Sequence, residues 1–106
     1  MSFSKKFLEE TNKISSMLDP NIIDAMAKEL NELRQRKGRL FFIGSGGGAG
    51  HSSHAVCDFR KLADIECYTP SDNVSELTAR VNDDGWDTAY SNWLSLRKFN
   101  NKDAIF

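Results

Sequence analysis

The sequence carries almost no net charge, few cysteines and no long apolar run, and each shortage removes a class of function. Fourteen Lys and Arg against 15 Asp and Glu leave a formal charge of −1. No basic excess is present to draw nucleic acid or an anionic membrane surface. The longest apolar run, Leu40-Phe41-Phe42-Ile43, is far short of a membrane span. The N-terminus, MSFSKKFLEETNK, sets charges on both sides of its few apolar residues, so it offers no signal-peptide core. Cys57 and Cys67 lack the spacing of a redox pair or a zinc knuckle, and without a secretory signal they read as reduced thiols. These exclusions predict a cytoplasmic chain with no nucleic-acid and no membrane partner.

What is present is ordinary in bulk: 40% hydrophobic and 27% charged over 106 residues, enough for one domain with a modest core. Phe3, Phe7, Leu8, Ile14, Met17 and Leu18 fall on one stripe of a helix over 3 to 18. Asp19-Pro20 then suits a cap and first position of a second helix. Ile22, Ile23, Met26, Leu30 and Leu33 share a face of that helix, and Gly38 is its expected C-cap. Residues 39–43 (RLFFI) suit a short buried parallel strand, and 52–62 a helix. ADIECYTP reads as a second strand. Asp72 or Ser75 is expected to start a short helix through Val81, NDDG to turn, and Trp86, Ala89, Trp93 and Leu96 to mark a further helix. Asp103 to Phe106 looks like a third strand at its start. Alternation of strand and helix predicts a parallel sheet covered on both faces. Three strands make that sheet thin, so the expectation is half of a larger α/β domain, from a truncated or incompletely read chain.

The chemistry concentrates in FFIGSGGGAGHSSHAVCDF, residues 41–59, where five glycines fall between Gly44 and Gly50. A strand entering glycines and then a helix is an anion site, because backbone N–H groups can approach a phosphate that no Cβ obstructs. A P-loop needs a lysine closing the loop, and none lies between Gly44 and Asp58. The letters of a dinucleotide loop are met by Gly44-Ser45-Gly46-Gly47-Gly48-Ala49, but Tyr68-Thr69-Pro70 stands where a ribose-binding acid belongs. No nucleotide cofactor is therefore expected. A small phosphorylated sugar fits better. His51, His54 and Asp58 stand at i, i+3 and i+7, so all three fall on one helix face, where imidazole and carboxylate can share a proton or ligate a metal. The plainer alternative has His54 packing or capping and Asp58 merely solvated.

At these residues the sequence resembles the sugar isomerase (SIS) domain family, in its phosphoheptose isomerase branch. That branch carries G-N-G-G-S after the first strand, then a helix with a histidine and a glutamate one turn later. Here Gly44-Ser45-Gly46-Gly47-Gly48 occupies the loop, and His54 and Asp58 hold the two later places. Ser71-Asp72 and Asn82-Asp83-Asp84-Gly85-Trp86 match further family segments. The resemblance implies the N-terminal half of a three-layer, flavodoxin-like or Rossmann-like parallel-sheet SIS fold, preceded by two amphipathic helices. Residues 1–37 would form an oligomerising helical pair and 38–106 the sugar-phosphate-binding half-domain. It implies aldose–ketose isomerisation of sedoheptulose 7-phosphate to glycero-manno-heptose 7-phosphate through an enediol, an early step toward the heptose of bacterial surface polysaccharide. Asp58 would be the base or a metal ligand, and His54 the acid or the adjacent ligand. Ser45, Gly46, Gly47, Gly48, Asn82 and Asp83 would contact substrate. Zinc is found in some members, and a homo-oligomer, a dimer or tetramer, is expected.

The departures are equally readable. Ser45 stands for the family's asparagine, Gly48 for a serine, and Asp58 for glutamate. Asp58 is shorter by one methylene, a displacement of about 1 Å that can cost about a hundredfold where geometry limits the rate. His51 is an extra imidazole. The family's serine-rich phosphate loop and its catalytic glutamine and histidine have no counterpart in these residues, so this half alone is expected to be inactive. The alternative of another class is a non-catalytic SIS protein that binds a sugar phosphate or a protein partner, of the kind that associates with the replication initiator. A third reading is an isomerase of another sugar phosphate.

Overall fold

The computed structural model describes residues 2–106. Helix α1 (Phe3–Met17) starts where the Ser2 side chain accepts the Lys5 N–H, and α2 (Pro20–Gln35) where Asp19 accepts from Asn21 at 2.9 Å. The expected cap and first-turn proline are therefore both in place. The end of α2 differs from expectation. Lys37, at φ 56°, takes the left-handed position, and Gly38 follows it, donating its N–H back to the Leu33 carbonyl at 3.0 Å. The C-cap is Arg36, and Gly38 is thus two residues past it.

Three parallel strands, β1 (Leu40–Phe41), β2 (Cys67–Tyr68) and β3 (Ala104–Ile105), lie in the order β2-β1-β3. Each strand is two residues long, yet pairing extends beyond them. Phe42 donates to the Tyr68 carbonyl, Ala104 to Arg39, and Ile43 to Phe106, all within 3.0 Å. Residues 39–43 therefore run as one extended segment, as their apolar run predicts.

The segments between strands shift in detail. Helix α3 spans Gly47–Ala63 and begins five residues earlier than the side chains suggest, because glycines form its first turn. Glycine is a poor helix former, so composition alone hides this. After β2 comes a single 3₁₀ turn, Pro70–Asp72, and α4 (Val74–Asp84) is capped by Asn73, not by Asp72 or Ser75. Its side chain accepts the Glu76 N–H at 3.0 Å. Asn82, Asp83 and Asp84 are the last helical residues of α4 rather than a turn, and Gly85 at φ 87° ends it. Trp86–Thr88 forms a 3₁₀ turn leading into α5 (Ala89–Leu96).

Both faces of the sheet are covered, as expected. On one side Phe42 meets Phe59 of α3, in a cluster with Leu33 of α2, Leu40, Val56, Ile65 and Cys67. On the other, the fully buried Phe41 meets Trp93 of α5 edge-on at 5.7 Å, with Phe99 and Tyr68 around it. The start of β3 is pinned by an ion pair. Arg39 binds Asp103 through Nη2 at 2.8 Å, while the Arg39 backbone N–H donates to the same carboxylate.

Helix α1 stands apart from this core. None of its residues is buried, and Phe3, Phe7, Leu8, Ile14 and Met17 are all more than half exposed. The radius of gyration, 17.3 Å, exceeds the roughly 13 Å of a compact chain this long.

Candidate functional site

The site grows from the C-terminal end of β1. Gly44 leaves the strand, and a side chain there would strike the Gly48 carbonyl. Gly46 takes φ 55° and ψ −121° as the residue before α3, a conformation that only glycine adopts freely. The turn closes when Gly48 donates to the Ser45 carbonyl at 2.9 Å. No side chain caps α3. The glycine stretch is therefore a tight turn, Gly44 to Gly46, followed by an exposed, uncapped helix start, the positive end of the helix dipole. Of the four residues expected to hold substrate here, Ser45 and Gly46 lie in the turn and Gly47 and Gly48 in the first helical turn.

His54 and Asp58 lie on α3 one turn apart, with His54 Nε2 3.2 Å from Asp58 Oδ2. Their side chains are 78% and 51% exposed, so neither packs into the core nor caps a helix. An imidazole beside a carboxylate can act as an acid–base pair, and the two become an ion pair when the ring is protonated. His51 lines a mostly apolar cavity of about 320 Å³ with Ile43 and Phe106, and no hydrogen bond joins it to the pair. Among the described residues no cluster of three or more His, Cys, Asp or Glu forms. His54 and Asp58 therefore give two donors, short of the four-coordinate set that zinc takes. Cys67 is buried and its thiol is pushed up to about 11 by that burial, which makes it inert rather than nucleophilic.

Asn82 and Asp83 are exposed at the end of α4 and bond to each other, Nδ2 to Oδ1, at 3.1 Å. No hydrogen bond carries either of them to the glycine turn or to α3. Two contacts that the sequence does not advertise tie the surroundings together. Ser53 of α3 donates to Asp72 Oδ1 at 2.6 Å, linking the helix to the turn after β2. Tyr90 of α5 donates its hydroxyl to the Gly44 carbonyl at 2.9 Å, with Ser45 Oγ 3.5 Å away. Tyr90 follows Trp86 by four residues, a spacing that reads as packing; only the fold shows that its hydroxyl meets the loop.

No family model matches the chain. Over 93 residues it is 27% identical to a Thermoplasma volcanium protein named probable phosphoheptose isomerase, a match covering 83% of this chain and 47% of that protein. The chain is thus similar to part of a phosphoheptose isomerase. It spans about half the length of the curated relative it matches. Its fold agrees with the solved structure of the phosphoheptose isomerase GmhA from Neisseria gonorrhoeae, with a TM-score of 0.78 at 19% identity, covering 95% of this chain and 54% of the other. The structural likeness carries the α/β fold expected from the resemblance, parallel strands with helices on both faces. Among the described residues no helix is long and apolar enough to cross a membrane.

Proposed function

We propose that this chain supplies the substrate-gripping turn and an acid–base pair for a phosphoheptose isomerase-type aldose–ketose isomerisation. The observation that carries the reading is the His54–Asp58 pair, held at 3.2 Å on the helix that begins at the glycine turn. The phosphate or hydroxyls of a sugar phosphate would lie against Ser45, Gly46, Gly47 and Gly48, with Asn82 and Asp83 as further polar contacts. Asp58, as carboxylate, would take a proton from the carbon next to the carbonyl. His54, as imidazolium, would protonate the carbonyl oxygen to give the enediol, and reversal on the neighbouring carbon completes the transfer. Sedoheptulose 7-phosphate is the substrate proposed, as the resemblance of the glycine loop and the His54–Asp58 helix to the phosphoheptose isomerase branch implies. Toward zinc, this half would offer two donors, His54 and Asp58.

In this reading residues 38–106 are the sugar-phosphate unit, and residues 1–37 are an oligomerisation arm whose exposed stripe of Phe3, Phe7 and Met26 is covered by further copies in a dimer or tetramer. We place the protein in the cytoplasm, where Cys57 and Cys67, both free, stay reduced.

The test is incubation of the full-length gene product with sedoheptulose 7-phosphate, with and without zinc, following aldose formation. The expected result is turnover that falls at least a hundredfold in His54→Ala and Asp58→Ala. Turnover unchanged in both variants would sink the assignment. A second reading, sugar-phosphate binding without catalysis, draws on the solvent exposure of both side chains, since open water weakens the pKa tuning an acid–base pair needs. Binding with no turnover in the wild type would favour it.

A further inference from the structure

The glycine turn has little to hold it in place. It has no side-chain cap, Gly46 sits at positive φ, and its own closure is two backbone hydrogen bonds, from Gly48 to Ser45 and from Gly50 to Gly46. Glycine-rich backbone samples many conformations, so a ligand that binds its N–H groups must also bear the cost of ordering them. Among the described residues, Tyr90 supplies the side-chain hydrogen bond that reaches this turn from another element. Its hydroxyl donates to the Gly44 carbonyl at 2.9 Å and stands 3.5 Å from Ser45 Oγ. Having donated its one proton, the phenol oxygen can only accept from Ser45, which fixes the direction of the serine hydroxyl.

The other end of the same ring is anchored. Trp86 packs edge-on against Tyr90 with centroids 5.4 Å apart, and Trp86 directly follows the Asn82–Gly85 segment that ends α4. The two candidate substrate-binding segments, Ser45–Gly48 and Asn82–Asp83, are far apart in sequence and share no hydrogen bond. Tyr90 is the side chain that touches the first and packs against the neighbour of the second.

We infer that Tyr90 is a positioning residue: its hydroxyl holds the glycine turn in its ligand-ready arrangement and registers it against the Asn82–Trp86 segment. The effect on ligand affinity rests on the sugar-phosphate reading above, but the effect on the turn does not. Tyr90→Phe keeps the ring against Trp86 and removes only the hydroxyl; Tyr90→Leu removes both. Hydrogen exchange of the Gly48 and Gly50 amides, which donate to the Ser45 and Gly46 carbonyls, should accelerate about fivefold in Tyr90→Phe, the size of one net neutral hydrogen bond. Exchange at Phe41 and Phe42 should not change. Affinity for sedoheptulose 7-phosphate, titrated calorimetrically, should weaken by a similar factor, with any kcat nearly unchanged and KM raised.

Exchange in Tyr90→Phe equal to wild type, with only Tyr90→Leu altered, would overturn the inference and leave Tyr90 a packing residue. Acceleration spread uniformly over strand and turn would overturn it too, as general destabilisation. If wild type does not bind the sugar phosphate, the functional reading falls while the exchange data still decide the role of Tyr90.

Discussion

The N-terminal arm and the sheet are built from similar material and end in opposite conditions. Helices α1 and α2 carry apolar stripes as regular as anything in the chain, yet Phe3 is 83% exposed while Phe41 is fully buried. Only Leu33 of the two helices is buried, at the point where α2 reaches the sheet. An apolar stripe states that a face needs cover; it does not say what covers it. The arm therefore relies on local devices, its caps and i,i+4 contacts such as Lys6–Glu10, whereas the core relies on long-range packing.

The largest expected break in this contrast is Phe41→Ala. Removing a fully buried ring that touches Trp93, Tyr68 and Phe99 should cost about 3–5 kcal/mol, much of a typical domain's stability. Phe7→Ala, on the arm, should leave the melting temperature of dilute protein within the effect of about 0.5 kcal/mol. In concentrated protein it should lower association by light scattering if copies cover the stripe. Equal destabilisation of both variants in dilute solution would erase the contrast.

A middling effect is expected at Asp103. Burial alone would raise its pKa, but hydrogen bonds from the Arg39 side chain and backbone and from the Asn100 N–H outweigh this and hold the carboxyl below its ordinary range. Such a group stabilises the fold above the unfolded-state pKa, about 3.9, and the contribution is lost as pH falls through the lower folded value. Stability should therefore decline with acid from about pH 4 downward. Asp103→Asn should cost about 1.5 kcal/mol at neutral pH, as for a charge-assisted hydrogen bond lost from a part-buried pair, and should flatten that acid limb. Chemical denaturation at a series of pH values gives both results; an unchanged limb in the variant would reassign the acid sensitivity to other carboxylates.

The smallest effect belongs to the arm. Asp19→Ala should remove the cap of α2 at a cost of about 1 kcal/mol, read as faster exchange of the Asn21 amide with little change in the global melt. A global loss as large as that of Phe41→Ala would mean that the arm is integral to the core.

Much of this was legible beforehand, and the failures share a cause. The Asp19-Pro20 start, the three strand positions, the two-sided covering and the His54–Asp58 spacing all follow from periods of 3.6 and 2 and from turn chemistry, which act over a few residues. The misplacements fall where glycine or asparagine decides a boundary. Gly47 to Gly50 are helical against their propensity, Asn73 caps in place of its neighbours, and Asn82 to Asp84 continue a helix that their turn-like composition would end. In each case backbone hydrogen bonds fixed by the surrounding fold outweigh preferences of a kcal/mol or less.

By itself the sequence determined which residues are apolar on one face, where a turn must be bare of side chains, and that an imidazole and a carboxylate stand one helical turn apart. Only the tertiary structure decided that the Tyr90 hydroxyl meets Gly44, that Ser53 meets Asp72, and that Asp103 closes on Arg39. Those partners are 46, 19 and 64 residues apart. Local periodicity carries no information over such distances; the register of parallel strands and the packing of helices across them bring the pairs together.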